Sequence, residues 1–291
     1  MKKITEKNNK ASENIDCLST KSILQIINNE DSLIPEIINK SINNIELVVN
    51  DVVDTFNNNG KLFYIGCGTS GRLGILDAVE CPPTFSTSPD MVQGIIAGGN
   101  SAVYKSVENA EDSKIDAIKV VREKITKNDI LIAISASGTA DYILSALEES
   151  FIIGARTCLI TCNNVDKKYY MNNLIKLIVG PEIISGSTRM KSGTATKMVL
   201  NMITTTSMVK INKTYGNLMV DLKVSNKKLE KRAIKIINCL TGLSINKSKE
   251  ILINANNSVK SAIVMHYKKV DFNTSILLLN KVNGSLRKII G

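Results

Sequence analysis

The chain of 291 residues has no tryptophan, one histidine and five prolines, and only 4% of its residues are aromatic. Each scarcity narrows the chemistry. No apolar run approaches the roughly 18 to 20 residues that a membrane-spanning helix needs. The opening Met1-Lys2-Lys3-Ile4-Thr5-Glu6-Lys7 has no apolar stretch after its lysines. A cytoplasmic protein without a membrane partner is expected. The one histidine, His266, lies in Ala262-Ile263-Val264-Met265-His266-Tyr267 and reads as a packed or half-exposed helical residue. A Ser-His-Asp or Cys-His mechanism would need its partners to converge there. Acid and base work therefore falls to carboxylates, lysine or tyrosine. Cys17, Cys67, Cys81, Cys158, Cys162 and Cys239 are too scattered for a disulfide-stapled scaffold and are expected to be reduced. The closest pair, Cys158 and Cys162, has no histidine near it, so the spacing of metal ligands is missing and no metal is expected. All five prolines fall at or before Pro181, leaving the rest of the chain free for helices.

What is abundant is positive charge, with 37 basic against 27 acidic residues for a formal net charge of +10. Its distribution matters more than its size. From Leu222 onward there are 14 basic and 3 acidic residues, or +11, which leaves 23 against 24, or −1, for residues 1–221. The basic segment shows no aromatic interleaving of the kind that stacks bases. Its lysines alternate with Ile, Leu and Val at helical spacing, as in Leu229-Glu230-Lys231-Arg232-Ala233-Ile234-Lys235-Ile236-Ile237. The tail therefore reads as solvated helix faces, and no nucleic-acid partner is expected.

Residues 20–57 carry two helical patterns, the first capped by Ser19 or Thr20, the second ended by Asn57-Asn58-Asn59-Gly60. The period then changes. Short apolar runs at Lys61 to Ile65, Val92 to Ala97, Ile130 to Ile134, Thr157 to Thr161 and Leu174 to Val179 are separated mostly by helical stretches. Near-continuous apolar strands alternating with helices indicate an α/β fold, an open parallel sheet with helices on both faces. After Asp221 no strand pattern remains, and three or four short helices are expected.

Three small-residue loops follow this frame. Gly66-Cys67-Gly68-Thr69-Ser70-Gly71-Arg72-Leu73-Gly74 comes directly after the first strand and opens a helix. It matches G-x-G-x-x-G, but a dinucleotide site would also need an acid closing the second strand to hold the ribose. That strand runs into Ala97-Gly98-Gly99 instead. Glycines that admit an anion, the hydroxyls of Thr69 and Ser70, and free N–H groups at a helix start remain. Ser135-Ala136-Ser137-Gly138-Thr139 follows the third strand, and Gly186-Ser187-Thr188-Arg189-Met190-Lys191-Ser192-Gly193-Thr194 precedes a long helical run. Loops at the carboxyl ends of parallel strands can converge on one ligand. Two of these contain an arginine, and together they suit a phosphorylated polyol better than an apolar ligand.

Carboxylates complete the pattern. Glu80 lies in Asp77-Ala78-Val79-Glu80-Cys81-Pro82-Pro83-Thr84-Phe85, where the paired prolines are expected to end the helix begun near Ser70. The negative end of a helix dipole, and partial burial beside Cys81 and Phe85, would both favour the neutral acid. Glu108, Glu111 and Asp112 lie together in Val107-Glu108-Asn109-Ala110-Glu111-Asp112-Ser113. Spacing does not distinguish which of the three faces a cleft.

Taken together, Gly68-Thr69-Ser70-Gly71-Arg72-Leu73-Gly74, Glu80-Cys81-Pro82-Pro83-Thr84-Phe85, the loop Gly186 to Ala195 and Tyr215-Gly216-Asn217-Leu218-Met219-Val220-Asp221 closely resemble the N-acetylmuramic acid 6-phosphate etherases of the sugar isomerase (SIS) superfamily. The resemblance runs nearly end to end. It implies an N-terminal helical segment over 1–50, a phosphosugar-binding SIS domain over 51–222 and a small C-terminal helical domain over 223–291. It implies catalytic Glu80 and Glu111, and substrate contacts from Gly68, Thr69, Ser70, Ser135, Ser137, Ser187, Thr188 and Arg189. It also implies a homodimer with active sites near the subunit interface, and neither metal nor organic cofactor. The implied reaction eliminates D-lactate from the opened sugar and adds water to give N-acetylglucosamine 6-phosphate. One departure stands out: where the family usually reads A-S-G-R-T-P-Y, this chain has Ala136-Ser137-Gly138-Thr139-Ala140-Asp141-Tyr142, without the arginine and with an acid. The main alternative is a non-catalytic phosphosugar-sensing regulator of the glucokinase-regulator type. Retention of both glutamates favours the enzyme over it. An aldose-ketose isomerase of the same superfamily would not require the E-C-P-P-T-F motif.

Overall fold

The five apolar runs form one parallel sheet in a computed structural model that describes residues 3–291: β1 Leu62–Gly66, β2 Val92–Ile96, β3 Ile130–Ile134, β4 Arg156–Thr161 and β5 Asn173–Lys176. Their order is β2-β1-β3-β4-β5, with Leu62 in register with Val92 on one side and Ile130 on the other. Every residue of β1 and β3 is buried, which explains why they read as continuous rather than alternating apolar runs. The chain leaves β1 toward β2 and returns across it to β3, so β1 and β3 flank the point where the winding reverses. Loops at the carboxyl ends of such neighbours diverge and leave a crevice.

The helices are α1 Thr20–Asp31, α2 Ile34–Asn39, α3 Ile42–Asn57, α4 Thr69–Phe85, α5 Ser101–Tyr104, α6 Lys114–Lys124, α7 Asp141–Ile153, α8 Lys191–Lys210, α9 Lys227–Thr241, α10 Ile245–Asn254, α11 Val259–Lys268, α12 Phe272–Lys281 and α13 Leu286–Ile290. Ser19 caps α1 by accepting from the Ser22 N–H at 3.2 Å. Residues 20–57 hold three helices where the periodicity suggested two, because Pro35 opens a new helix in its first turn.

Two compact units divide the described chain. The first takes residues up to Val79 together with Asp90–Thr204, and the second takes Glu80–Pro89 with Thr205–Gly291. In the first, Phe63, Ile65, Leu131, Ala133 and Leu159 of the sheet pack with Ala117 and Val121 of α6 and Ile143, Ala146 and Leu147 of α7. Helix α3, with Val48, Val49 and Val52 buried, also packs on the sheet. Truncating a fully buried residue such as Leu131 to alanine removes about 2–5 kcal/mol.

The second unit is helical. Asn226, Ser244, Ser258 and Asp271 each cap a helix, accepting from the N–H three residues on at 2.9, 3.4, 3.2 and 2.8 Å. Its core is Ala233, Ile236, Ile237, Leu252, Val259, Ala262, Ile263 and Leu286. The helices after Asp221 number five rather than three or four, the last being little more than one turn. Asp221, which closes the Tyr215-to-Asp221 motif, accepts from the buried Lys260 Nζ at 2.8 Å and pairs with Lys213 at 3.2 Å. Burial lowers the affinity of Lys260 for its proton, while Asp221 works in the opposite direction.

Candidate active site

The first glycine loop is built by close approach. A Cβ on Gly71 would lie 2.6 Å from the Gly66 carbonyl oxygen and 2.6 Å from Ile96 Cγ1, so only glycine lets α4 start this near the strand ends. Gly68 has φ of +51° and a Cβ there would meet nothing within 4 Å, which leaves its backbone open at the mouth of the loop. Thr69 and Ser70 begin α4 and are half-buried. The start of this helix carries no acidic residue in its first turn, a suitable place for an anion.

Beside this loop lies a cleft of about 470 Å³, with Cys67, Gly68 and Arg72 on one side and Lys105, Asn109 and Glu111 among the residues on the other. Of the three acids that spacing left open, Glu108 and Glu111 line the cleft. Glu111 sits in a single 3-10 turn, Ala110–Asp112, entered through Asn109 at φ 59°. Burial first, then the charges of Glu111 and Asp112, push the Cys67 thiol up to about 12. The thiol is thus a neutral wall, not a nucleophile.

Ser135 of the second loop is buried, and its hydroxyl accepts from the Gly138 N–H at 3.1 Å. Ser137 Oγ lies 3.3 Å from Ser135 Oγ and accepts from the Thr139 N–H at 3.3 Å. These hydroxyls shape the loop. The unexpected acid, Asp141, pairs with Lys114 at 3.4 Å and sits in the first turn of α7, where the helix dipole favours it.

In the third loop Ser187 and Thr188 are half-buried and Arg189 is exposed. A Cβ on Gly193 would come within 3.8 Å of Thr69 Cγ2, so this loop and the first are neighbours. Its anchor is Glu182, fully buried, which accepts from the Lys191 N–H at 2.9 Å, the Ser192 N–H at 2.9 Å and the Ser192 hydroxyl at 2.6 Å. The start of α8 therefore already holds a carboxylate. Buried Lys191 in turn meets Glu30 at 2.5 Å. A buried asparagine, Asn163, joins the second loop to the N-terminal segment: it donates to the Ala136 carbonyl at 2.9 Å and accepts from the Ile4 N–H at 2.6 Å. The Gly186 N–H donates to the Thr5 carbonyl at 3.0 Å, which ties in the third loop as well. Neither Glu182 nor Asn163 stands out in the sequence, because each acts through partners far along the chain.

Gly68 and Glu111 thus face one cleft, and Thr69 with Gly193 joins the first and third loops. Ser135, Ser137, Ser187, Thr188 and Arg189 do not line that cleft. Glu80 belongs to the second unit. Two expectations about it are corrected. Helix α4 continues through Pro82 and Pro83 to Phe85, whose side chain is buried, and ends at Ser86 with φ 52°. A proline removes a donor and crowds the preceding turn, so the ladder loses the bonds to Ala78 and Val79 without terminating. Glu80 is also exposed rather than partly buried. Among the described residues no group of three or more His, Cys, Asp or Glu side chains is placed to hold a metal ion, and no helix is long and apolar enough to cross a membrane.

A doubly wound parallel sheet with a glycine loop at its reversal point and carboxylates across a polar cleft defines an α/β domain suited to an anionic ligand at its switch point. The model of the glucokinase regulatory protein N-terminal SIS domain matches residues 44–151, and that of the C-terminal lid domain of the same protein matches residues 216–281. An E. coli CFT073 protein, solved as a complex, shares the fold, with a TM-score of 0.51 and 17% identity over 69% of this chain and 97% of that one. The N-acetylmuramic acid 6-phosphate etherase of Rhodopirellula baltica is 44% identical over 98% of this chain and 95% of its own length. That of Clostridium acetobutylicum is 47% identical over 98% and 95%. The chain belongs to the N-acetylmuramic acid 6-phosphate etherase family.

Proposed function

We propose that the protein cleaves the D-lactyl ether of N-acetylmuramic acid 6-phosphate by elimination and hydration, acting as a carbon-oxygen lyase. The observation that carries this is the pairing of an anion-ready helix start with Glu111 across one polar cleft, in a chain that retains the motifs of the etherase family. In the open-chain aldehyde the C2 proton is acidified by the carbonyl. Glu111 takes that proton, the electron pair forms the C2–C3 double bond, and the C3–oxygen bond to lactate breaks. Glu80 protonates the departing alkoxide. Water then adds its hydroxyl at C3 while the proton returns to C2, giving N-acetylglucosamine 6-phosphate. A poor alkoxide leaving group needs an acid and a C–H bond needs a base, so the two glutamates divide the work. The acid role of Glu80 is supported by its motif, not by burial.

Gly68, Thr69 and Ser70 are assigned to the phosphate, with Ser135, Ser137, Ser187, Thr188 and Arg189 completing the substrate contacts. No metal or organic cofactor enters these steps. The reading extends to a cytoplasmic homodimer working in amino sugar catabolism and cell wall recycling. The phosphosugar-sensing alternative is not favoured, because the curated relatives of full length are named as etherases.

The test is lactate release from N-acetylmuramic acid 6-phosphate. Wild-type protein should release it, Glu80→Ala should bind the ligand and release none, and Glu111→Gln should slow exchange of the C2 hydrogen with deuterated solvent. Ser70→Ala and Arg189→Ala should chiefly raise KM, by about 1–3 kcal/mol for each charge-assisted hydrogen bond removed. Binding by the wild type with no lactate formed would establish a sensor instead.

A further inference from the structure

The segment that carries Glu111 is poorly held. Residues 104 to 109 are all exposed, and Glu111 and Asp112 are exposed as well. Besides buried Ala102 and Ala110, which packs against the sheet core, two things fix this segment. The first is Gly98, with φ of +85°, where a Cβ would collide with Val107 Cβ at 2.9 Å, so a glycine there lets Val107 settle against the chain. The second is Arg72. Its Nε donates to the Val103 carbonyl at 2.9 Å and its Nη2 to the Lys105 carbonyl at 3.2 Å. These bonds reach Ser101 to Asn109 from 31 and 33 residues back in the chain, whereas the Asp112 N–H, which donates to the Asn109 carbonyl at 3.2 Å, is a local partner. The acceptors are carbonyls at the end of the single turn of α5, which have no helical donor of their own. A planar guanidinium can serve two such carbonyls at once, which an ammonium cannot do in the same geometry.

Arg72 rises from the first turns of α4, directly after the glycine loop, and lines the same cleft as Glu111. From this we propose, resting on the etherase reading, that Arg72 is a positioning residue for the proton-abstracting carboxylate: its fork clamps the 103–105 backbone to the phosphate-binding loop, so that Glu111 approaches a sugar whose phosphate that loop holds. The clamp joins the part of the site that binds to the part that reacts. Loss of the clamp therefore impairs the reaction more than binding. A displacement of about 1 Å at a reacting group costs roughly 100-fold in rate.

The experiment compares wild type, Arg72→Ala and Arg72→Lys, reading kcat and KM for lactate release, C2 hydrogen exchange, and amide hydrogen exchange over residues 101–112. Arg72→Ala should lower kcat about 10- to 100-fold with KM changed less than about 3-fold, slow C2 exchange in parallel, and raise amide exchange in 101–112 while β1 and β3 stay protected. Arg72→Lys should recover only part of kcat. Added guanidinium ion, at concentrations that leave the wild type unaffected, should restore part of the Arg72→Ala rate. A main effect on KM with amide exchange in 101–112 unchanged would overturn the proposal and make Arg72 a direct ligand contact. If wild type itself forms no lactate and exchanges no C2 hydrogen, the etherase reading fails, whereas the amide-exchange comparison still decides whether Arg72 holds the segment.

Discussion

Removing the carboxylate of Glu182 should destabilise the protein far more than its distance from the chemistry of the cleft suggests. The side chain is wholly buried and accepts three hydrogen bonds, at 2.9, 2.9 and 2.6 Å, from the first residues of α8. Glu182→Ala leaves two backbone N–H groups and one hydroxyl without their acceptor, each costing about 1–3 kcal/mol where water does not reach. It also withdraws a negative charge from a helix start, about 0.3–2 kcal/mol. These losses overlap, so about 3–5 kcal/mol is expected, or a fall in Tm of about 10 °C at roughly 2–4 °C per kcal/mol. Glu182→Gln keeps an accepting oxygen but points an amide at a donor, and should cost about half as much. Urea and thermal unfolding followed by circular dichroism measure both. Because the vacated helix start is an anion site in all but name, acetate or phosphate should recover part of the loss in Glu182→Ala and none in the wild type. A cost below about 1 kcal/mol for Glu182→Ala would refute the assignment of this carboxylate as the cap that orders the third loop.

Two further outcomes follow from the buried charges. Asp221→Ala strands the nearly buried Lys260 ammonium and should cost about 2–4 kcal/mol, a little less than a fully enclosed pair because Asp221 retains some exposure. The double variant with Lys260→Met should recover most of it, and amide exchange in α11 reads the difference; equal losses in single and double variants would show that the pair does not carry the effect. Asp77, buried in α4, accepts from Asn201 at 2.8 Å and Thr204 at 3.2 Å, with Tyr64 also hydrogen-bonded to it, yet burial outweighs these bonds and raises its pKa. A raised carboxyl favours the folded state at low pH, and this contribution fades as pH climbs through the folded value. Asp77→Asn should flatten that decline by up to about 1.4 kcal/mol per pH unit. Urea midpoints between pH 4 and 7 that run parallel in the two proteins would contradict it.

Much of the architecture is written in local pattern. Four of the five short apolar runs become strands within one residue of where period and flanking Gly, Ser and Asn place them, because a strand buried on both faces excludes polar residues from its interior, while the fifth ends at Lys176, three residues before Val179. Ser19, Asn226, Ser258 and Asp271 start helices through bonds that span three residues, which a linear reading can find. The prolines of α4 show where such reading fails. Pro82 and Pro83 weaken the helix, but burial of Phe85 carries it past them, and burial depends on residues distant in the chain.

The same division runs through the site. Glycine spacing marks the first loop, because Gly71 answers a clash with Gly66 nearby in sequence, although Ile96 of the next strand crowds it equally. The placing of Glu108 and Glu111, but not Asp112, along the cleft, the capture of the start of α8 by Glu182, and the grip of Arg72 on Val103 and Lys105 come from folding, which brings together groups that share no periodicity. Hydrogen bonds between remote residues leave no repeat in a chain. Their geometry exists once the sheet has set the loops side by side.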